Sequence, residues 1–186
     1  MKNLYIILAL ALSATAAVAQ DLHGRDTASN WRVTHQSKFG IWSSICDERE
    51  EYGKLVQRCY LRWVDVFSGR PNFGGQFIFI TPEDDGFQVE FGIEPGTVFH
   101  PNGFRIEREG TPVWRTRWPG CLTGVGCRFD GVDADELIEQ MTQGGAFLFD
   151  FRDRHGISRS LNWPLEEFST AWEDFLDQFR KRPLIE

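Results

Sequence analysis

One stretch, residues 39–63 (FGIWSSICDEREEYGKLVQRCYLRW), limits what this chain can fold into more than any other. On its first arm Trp42, Ser44 and Cys46 share one parity. On its second arm Leu55, Gln57, Cys59, Leu61 and Trp63 do the same. Side chains alternate between faces along a strand, so the second arm has one mainly apolar face. Between the arms lies the polar run DEREEYGK, closed by Tyr52-Gly53. The midpoint between Cys46 and Cys59 falls on that pair. The two cysteines would then sit opposite each other, which a bridge across a hairpin requires. The stretch predicts a disulfide-stapled β-hairpin and carries no catalytic constellation.

The chain begins with a targeting pattern. Lys2 supplies a positive n-region, residues 4–14 are apolar, and Ala17-Val18-Ala19 is a small-x-small cleavage site before Gln20. The apolar run is too short and wrongly flanked to span a bilayer. Residues 1–19 are read as a signal peptide, residues 20–36 as a mobile N-terminal arm with Trp31 as its anchor, and residues 37–182 as one domain. No transmembrane segment is expected once the signal is removed. The four cysteines all follow the signal, so they read as two disulfides formed in an oxidising compartment. Three pairings are possible. Cys46–Cys59 and Cys121–Cys127 are favoured because each is local and brackets a turn. Zinc would need a close Cys-x-x-Cys or nearby histidines, and neither pair has that spacing. The net charge of −7 argues against nucleic-acid binding, which needs a basic face. The periplasm is the expected location, with release or outer-membrane association as further destinations.

Further along, residues 76–81 (QFIFIT) are apolar on both faces and read as a central strand, and PEDDG at 82–86 as a turn. Residues 87–93 alternate cleanly. Val98 and Phe99 form a short segment ended by His100-Pro101-Asn102-Gly103. Residues 104–109 and 113–118 read as two strands joined by Glu109-Gly110. Residues 121–127 form a small loop. Asp133 and Glu136 have capping-box spacing ahead of a helix whose apolar positions are Ala134, Leu137, Ile138 and Met141. Gly144-Gly145 stops that helix. Strands at 146–151 and 157–161 flank a turn at 153–156. A last helix is predicted over 164–179, with Pro164 in its first turn and Leu165, Phe168, Trp172, Phe175, Leu176 and Phe179 on its apolar face. Eight or nine short strands and two late helices predict a mainly β chain. The expected architecture is a β-sandwich (immunoglobulin-like) with two peripheral α-helices in the C-terminal third. An outer-membrane barrel is the alternative, and the C-terminal helix and internal bridges argue against it.

These residues resemble the invasion-associated locus B family of exported proteins from Gram-negative, mainly alphaproteobacterial, envelopes. The resemblance starts at Phe39-Gly40-x-Trp42 with Cys46 and Cys59. It continues through Gly92-Ile93-Glu94-Pro95-Gly96-Thr97, Cys121 and Cys127, the helix at 133–141, Gly144-Gly145, the strand at 146–151, and residues 161–172. It implies an exported β-sandwich with two disulfides and a general envelope role. It carries over no catalytic residue. Residues 122–126, Trp163-Pro164 and residues 70–75 depart from the family pattern, and those departures bear on a shared ligand more than on a shared fold.

No Gly-x-Ser-x-Gly, His-Glu-x-x-His or phosphate loop is present. His100 and His155 read as turn residues, and Asp84-Asp85-Gly86 as a β-turn with too few oxygens for calcium. No metal, cofactor or catalytic residue is expected. The sharper expectation concerns Arg105, Arg115 and Arg117 with Trp114 and Trp118. If their strands pair, Arg and Trp would interleave into a surface suited to anionic or sugar-like partners. The plainer expectation is that the tryptophans are core and the arginines rim. The chain thus reads as a non-enzymatic envelope protein that binds another envelope component or a host surface. A small-ligand carrier with an aromatic-lined cavity and a small hydrolase are the alternatives.

Overall fold

The computed structural model describes residues 30–69, 71 and 73–182. The expected signal peptide, residues 1–19, lies outside the described residues, as do residues 20–29 of the expected arm. From Arg32 the expected arm is instead a strand, β1 (Arg32–Phe39). Its residues are mostly exposed, because β1 forms the outer edge of its sheet, so its sequence carries little apolar alternation.

β1 pairs with β2 (Trp42–Glu51), which pairs with β3 (Lys54–Ser68). The β2–β3 turn is Tyr52-Gly53, with φ of 50° and 77°. Two left-handed residues match the twist of a two-residue hairpin. The register then places Cys46 opposite Cys59, and the two form a disulfide. Sheet A is completed by β4 (Gly74–Glu83), β5 (Gly86–Gly92) and β8 (Cys127–Phe129), in the order β1-β2-β3-β4-β5-β8. Sheet B runs β10-β9-β6-β7, from β6 (Val98–Arg108), β7 (Thr111–Arg115), β9 (Ala146–Arg152) and β10 (Ser158–Pro164). Every pairing is antiparallel and neither sheet closes on itself. The expected sandwich is therefore the fold, with ten strands and three helices among the described residues.

Between the sheets lies an aromatic core. Phe91 of sheet A meets Phe104, Phe147 and Trp163 of sheet B. The Trp163 indole donates to Asp65 Oδ2 at 2.8 Å, tying one sheet to the other. Sheet B covers only part of the wider sheet A. The rest of the inner face is closed by α3 (Phe168–Arg180), which packs on β1, β2 and β3, and α2 (Gly131–Thr142) packs beside β5. Phe168 meets Trp42 at 4.9 Å, and Trp172 meets Phe87 at 4.8 Å. His35 Nε2 lies 2.8 Å from Asp174 Oδ2, fixing edge strand β1 to α3. Among the described residues no helix is long and apolar enough to cross a membrane.

Several boundaries differ from expectation. Pro82 lies inside β4, opposite Phe87, and not in the turn. The His100–Gly103 break is no break: β6 continues through it with its register against β9 shifted between Phe99 and Phe104. The last helix starts at Phe168, and Pro164 is the final residue of β10. A proline is tolerated at the end of an edge strand, and its carbonyl accepts from the Trp42 indole at 3.0 Å. α2 begins after Asp130, so Asp133 lies within its first turn and makes no capping bond. The expected loop 121–127 begins in the last turn of a short helix, α1 (Pro119–Leu122), and is closed by the Cys121–Cys127 disulfide.

The turn between β9 and β10 is built on Asp153, which is 4% exposed. Its Oδ1 accepts from the backbone N–H groups of His155 and Ile157, both at 2.9 Å, and its Oδ2 from Arg159 at 3.0 Å. Burial pushes its pKa up, and the bonds from Ile157, Arg159 and His155 outweigh that, leaving it below the ordinary 3.8. A depressed carboxylate contributes stability above its unfolded pKa and loses it as the pH falls through the folded one. Asp153→Asn is therefore expected to melt earlier than wild type at neutral pH. The two melting curves should converge below about pH 4. A melting-temperature gap constant from neutral pH down to the acid limit would mean that the charge contributes nothing.

Candidate functional site

The chain passes from sheet B to sheet A and back through β7, α1, β8 and α2, and this crossover region holds most of the residues singled out in the sequence. β6 and β7 pair with Arg105 opposite Arg115 and Ile106 opposite Trp114. Pairing sends the arginines and tryptophans to different faces. Trp114 turns inward, with its ring 6.0 Å from Phe104, 5.8 Å from Phe129 and 6.0 Å from Phe147. It is a core residue at the sandwich edge. The expected Arg–Trp interleaving does not form. Arg58 lies over Trp31 at 3.6 Å, on the far side of sheet A from the core.

The arginines have different fates. Arg105 donates to Asp150 Oδ2 at 2.7 Å, to Glu107 at 2.5 Å and to the Asn102 carbonyl at 3.1 Å. The Asp150 bond raises its pKa, against burial. Asp150 is in turn held low, because the Arg105 and Ser160 bonds outweigh its burial. Arg105 is thus consumed in a structural network on the outer face of sheet B. Arg108 is spent too, donating to the carbonyls of Gln140 and Gly144 at the end of α2. Arg115 makes one side-chain bond, to Asn102 Oδ1 at 2.8 Å. Arg117 is exposed and makes no ion pair or side-chain hydrogen bond among the described residues.

Beside the terminal strand β7 runs a groove of about 490 Å³. Trp114 and the buried Phe129 line it, with Val113 and Trp118, which are 38% and 50% exposed. The lining also includes Arg115 and Arg117 from β7 and the residues after it, and Asp133 and Glu136 from α2. Neither carboxylate has an ion-pair partner among the described residues. Four of the five residues expected to bind thus share one groove, and Arg105 is elsewhere. Asp133 and Glu136 belong to it although their spacing suggested only a helix start. No local signal marks them, because their role comes from how α2 lies against β7.

Arg115 and Arg117 also border a second depression of about 460 Å³, with His100, Asn102, Phe99, Phe104 and Leu122. Its shape is fixed by β6. Asn102 is left-handed, with φ of 59°. Gly103 passes so close to β9 that a Cβ there would stand 2.2 Å from the Asp150 carbonyl oxygen, so only glycine fits.

A hydrolase built on a pair of carboxylates would be favoured by one whose pKa is raised beside a second polar group. Among the described residues the carboxylates with displaced pKa values, Glu48, Asp150 and Asp153, are all displaced downward. No three His, Cys, Asp or Glu side chains among the described residues come together as a metal site.

No protein-family model matches the chain, and no curated protein does. Among solved structures, the chain is similar to invasion associated protein B from Bartonella henselae, with 17% identity and a TM-score of 0.46, over 80% of this chain and 99% of that one.

Proposed function

We propose that this is an exported, non-enzymatic binding protein of the bacterial envelope, working in the periplasm or at the cell surface. It holds a partner polypeptide, from the envelope or a host surface, along the groove between β7 and α2. The observation that carries the reading is the groove's lining. It brings together exposed Trp118 and Val113 with charges of both signs, Arg117 and the α2 carboxylates Asp133 and Glu136, none of which has an ion-pair partner among the described residues. Aromatic and arginine side chains carry a large share of binding energy at protein interfaces. A lining with charges of both signs suits a chain that bears both and partly repels a uniformly charged polymer. β7 is the last strand of sheet B, so alternate backbone groups face away from β6. An extended segment fits such an edge. The signal peptide and the two disulfides support the exported setting.

A photo-crosslinking side chain placed at Val113 or Glu136 in living cells tests this. A discrete crosslinked protein is expected from both positions. None should come from Tyr52, which is 81% exposed at the tip of the β2–β3 hairpin. Trp118→Ala should abolish the product. The same products from Tyr52 as from Val113, or none from either groove position, would reject the reading.

A further inference from the structure

We propose that the depression bounded by His100, Arg115 and Arg117 is a binding site for an oxyanion, a phosphate or carboxylate group carried on an apolar body. The first ground is charge. The chain has a net charge of −7, yet this lining contains two arginines and a histidine and no carboxylate. The second is hydrogen-bond accounting. Arg115 gives one N–H to the neutral Asn102 Oδ1, and Arg117 gives none to any described residue. A guanidinium has five donors arranged as a fork that matches an oxyanion.

The nearest acid on β9 does not satisfy them. Asp150 has its Oδ2 taken by Arg105 at 2.7 Å and its Oδ1 by Ser160 at 2.7 Å. Arg115 also stands directly opposite Arg105 in the β6–β7 pairing. Like charges in that position repel. Arg105 is neutralised by Asp150 and Glu107, whereas among the described residues Arg115 has only a neutral amide oxygen. A bound anion supplies the missing countercharge.

The third ground is that the donors are held in place before any ligand arrives. Asn102 is pinned at two points, its carbonyl by Arg105 and its Oδ1 by Arg115. Thr116, between the two arginines, is buried, with its N–H on the Phe104 carbonyl at 3.1 Å. Its hydroxyl accepts from the Trp118 N–H at 3.2 Å. Both arginines therefore project from a fixed backbone, which lowers the entropy lost on binding. The apolar side of the lining, Phe99, Phe104 and Leu122, is suited to the body that carries the anion.

The site is tested on the full oxidised chain by titrating phenyl phosphate at low salt and following backbone amide resonances. Shifts confined to residues 99–104 and 115–122 are expected. Arg117→Ala and Arg115→Ala should each weaken binding by about tenfold or more, with unchanged melting temperature for exposed Arg117. Glu136→Ala, in the neighbouring groove, should leave phenyl phosphate binding intact, so this site and the polypeptide groove can fail separately. Benzyl alcohol should not bind, and inorganic phosphate should bind more weakly than the phenyl ester. Sedimentation with phosphatidylcholine vesicles containing phosphatidic acid separates a lipid phosphate from a free ester as the source. Equal affinity in wild type and both arginine variants, or shifts mapping elsewhere, would overturn the proposal.

Discussion

Phe91→Ala is expected to lower the stability of the protein by about 3–5 kcal/mol, near the top of the range for a single core substitution. Phe91 projects from β5 into the space between the sheets and is 3% exposed. Its ring centroid lies 5.0 Å from Phe104, 5.6 Å from Phe147, 6.1 Å from Phe129 and 6.4 Å from Trp163. Truncation removes the transfer energy of a phenyl ring and leaves a void. That void cannot close easily, because its walls are rings fixed to strands of two different sheets. Trp163 is further held by its bond to Asp65. The edge-to-face contacts with Phe104 and Phe147 add to the loss. For a chain of this size the melting temperature should fall by roughly 10 °C or more. Phe73→Ala provides the contrast: half exposed at the surface, it should change stability by no more than about 0.5 kcal/mol. Urea titration of both variants settles the matter. A cost for Phe91→Ala near that of Phe73→Ala would mean that the two sheets do not meet through this ring.

What the sequence reveals follows from where the physical signal is local. Cys46, Cys59 and Tyr52-Gly53 announce the β2–β3 hairpin and its register, because a turn and a bridge both act over a few residues. The apolar stripes of α2 and α3 are legible for the same reason. β1 is not, since an edge strand exposed on much of its surface needs no alternation. β6 is misread as broken at Pro101-Asn102-Gly103, because turn residues that end most strands here sit in a register shift held by β9. Pro164 fits a helix start as well as a strand end, and only the pairing of β10 with β9 decides. The site divides in the same way. Arg115, Arg117 and Trp118 stand out by type and spacing. His100, Asp133 and Glu136 do not, because β6 and α2 bring them in from distant parts of the chain. Arg105 looks equal to Arg115 in the sequence, and Asp150 on β9 is what removes it from the proposed binding surface.

The two disulfides are expected to separate stability from binding. In the loop-entropy model, removing Cys46–Cys59 as the paired alanine variant costs about 3 kcal/mol, and removing Cys121–Cys127 costs about 2 kcal/mol because its loop is shorter. Alanine leaves neither a free thiol nor a buried hydroxyl without a partner. Cys46 and Cys59 face each other in the middle of a long hairpin, paired from Ser43–Arg62 to Glu51–Lys54. Their bridge is remote from the crossover region, so its loss should lower the melting temperature and leave phenyl phosphate affinity unchanged. Cys121–Cys127 ties the end of α1 to the start of β8 across a loop with few backbone bonds of its own, such as Val125 N–H to the Gly120 carbonyl at 2.7 Å. Arg117 and Trp118 lead directly into that loop, and Phe129 follows directly from it. Without the bridge this segment gains conformations in which Arg117 no longer lines the depression with His100. Apparent affinity falls by the fraction of time spent in them. The second pair should therefore show the smaller loss of melting temperature and the larger loss of phenyl phosphate affinity, about tenfold. Equal affinities in the two variants would mean that strand β7 alone positions the arginines and that the second bridge serves only the fold.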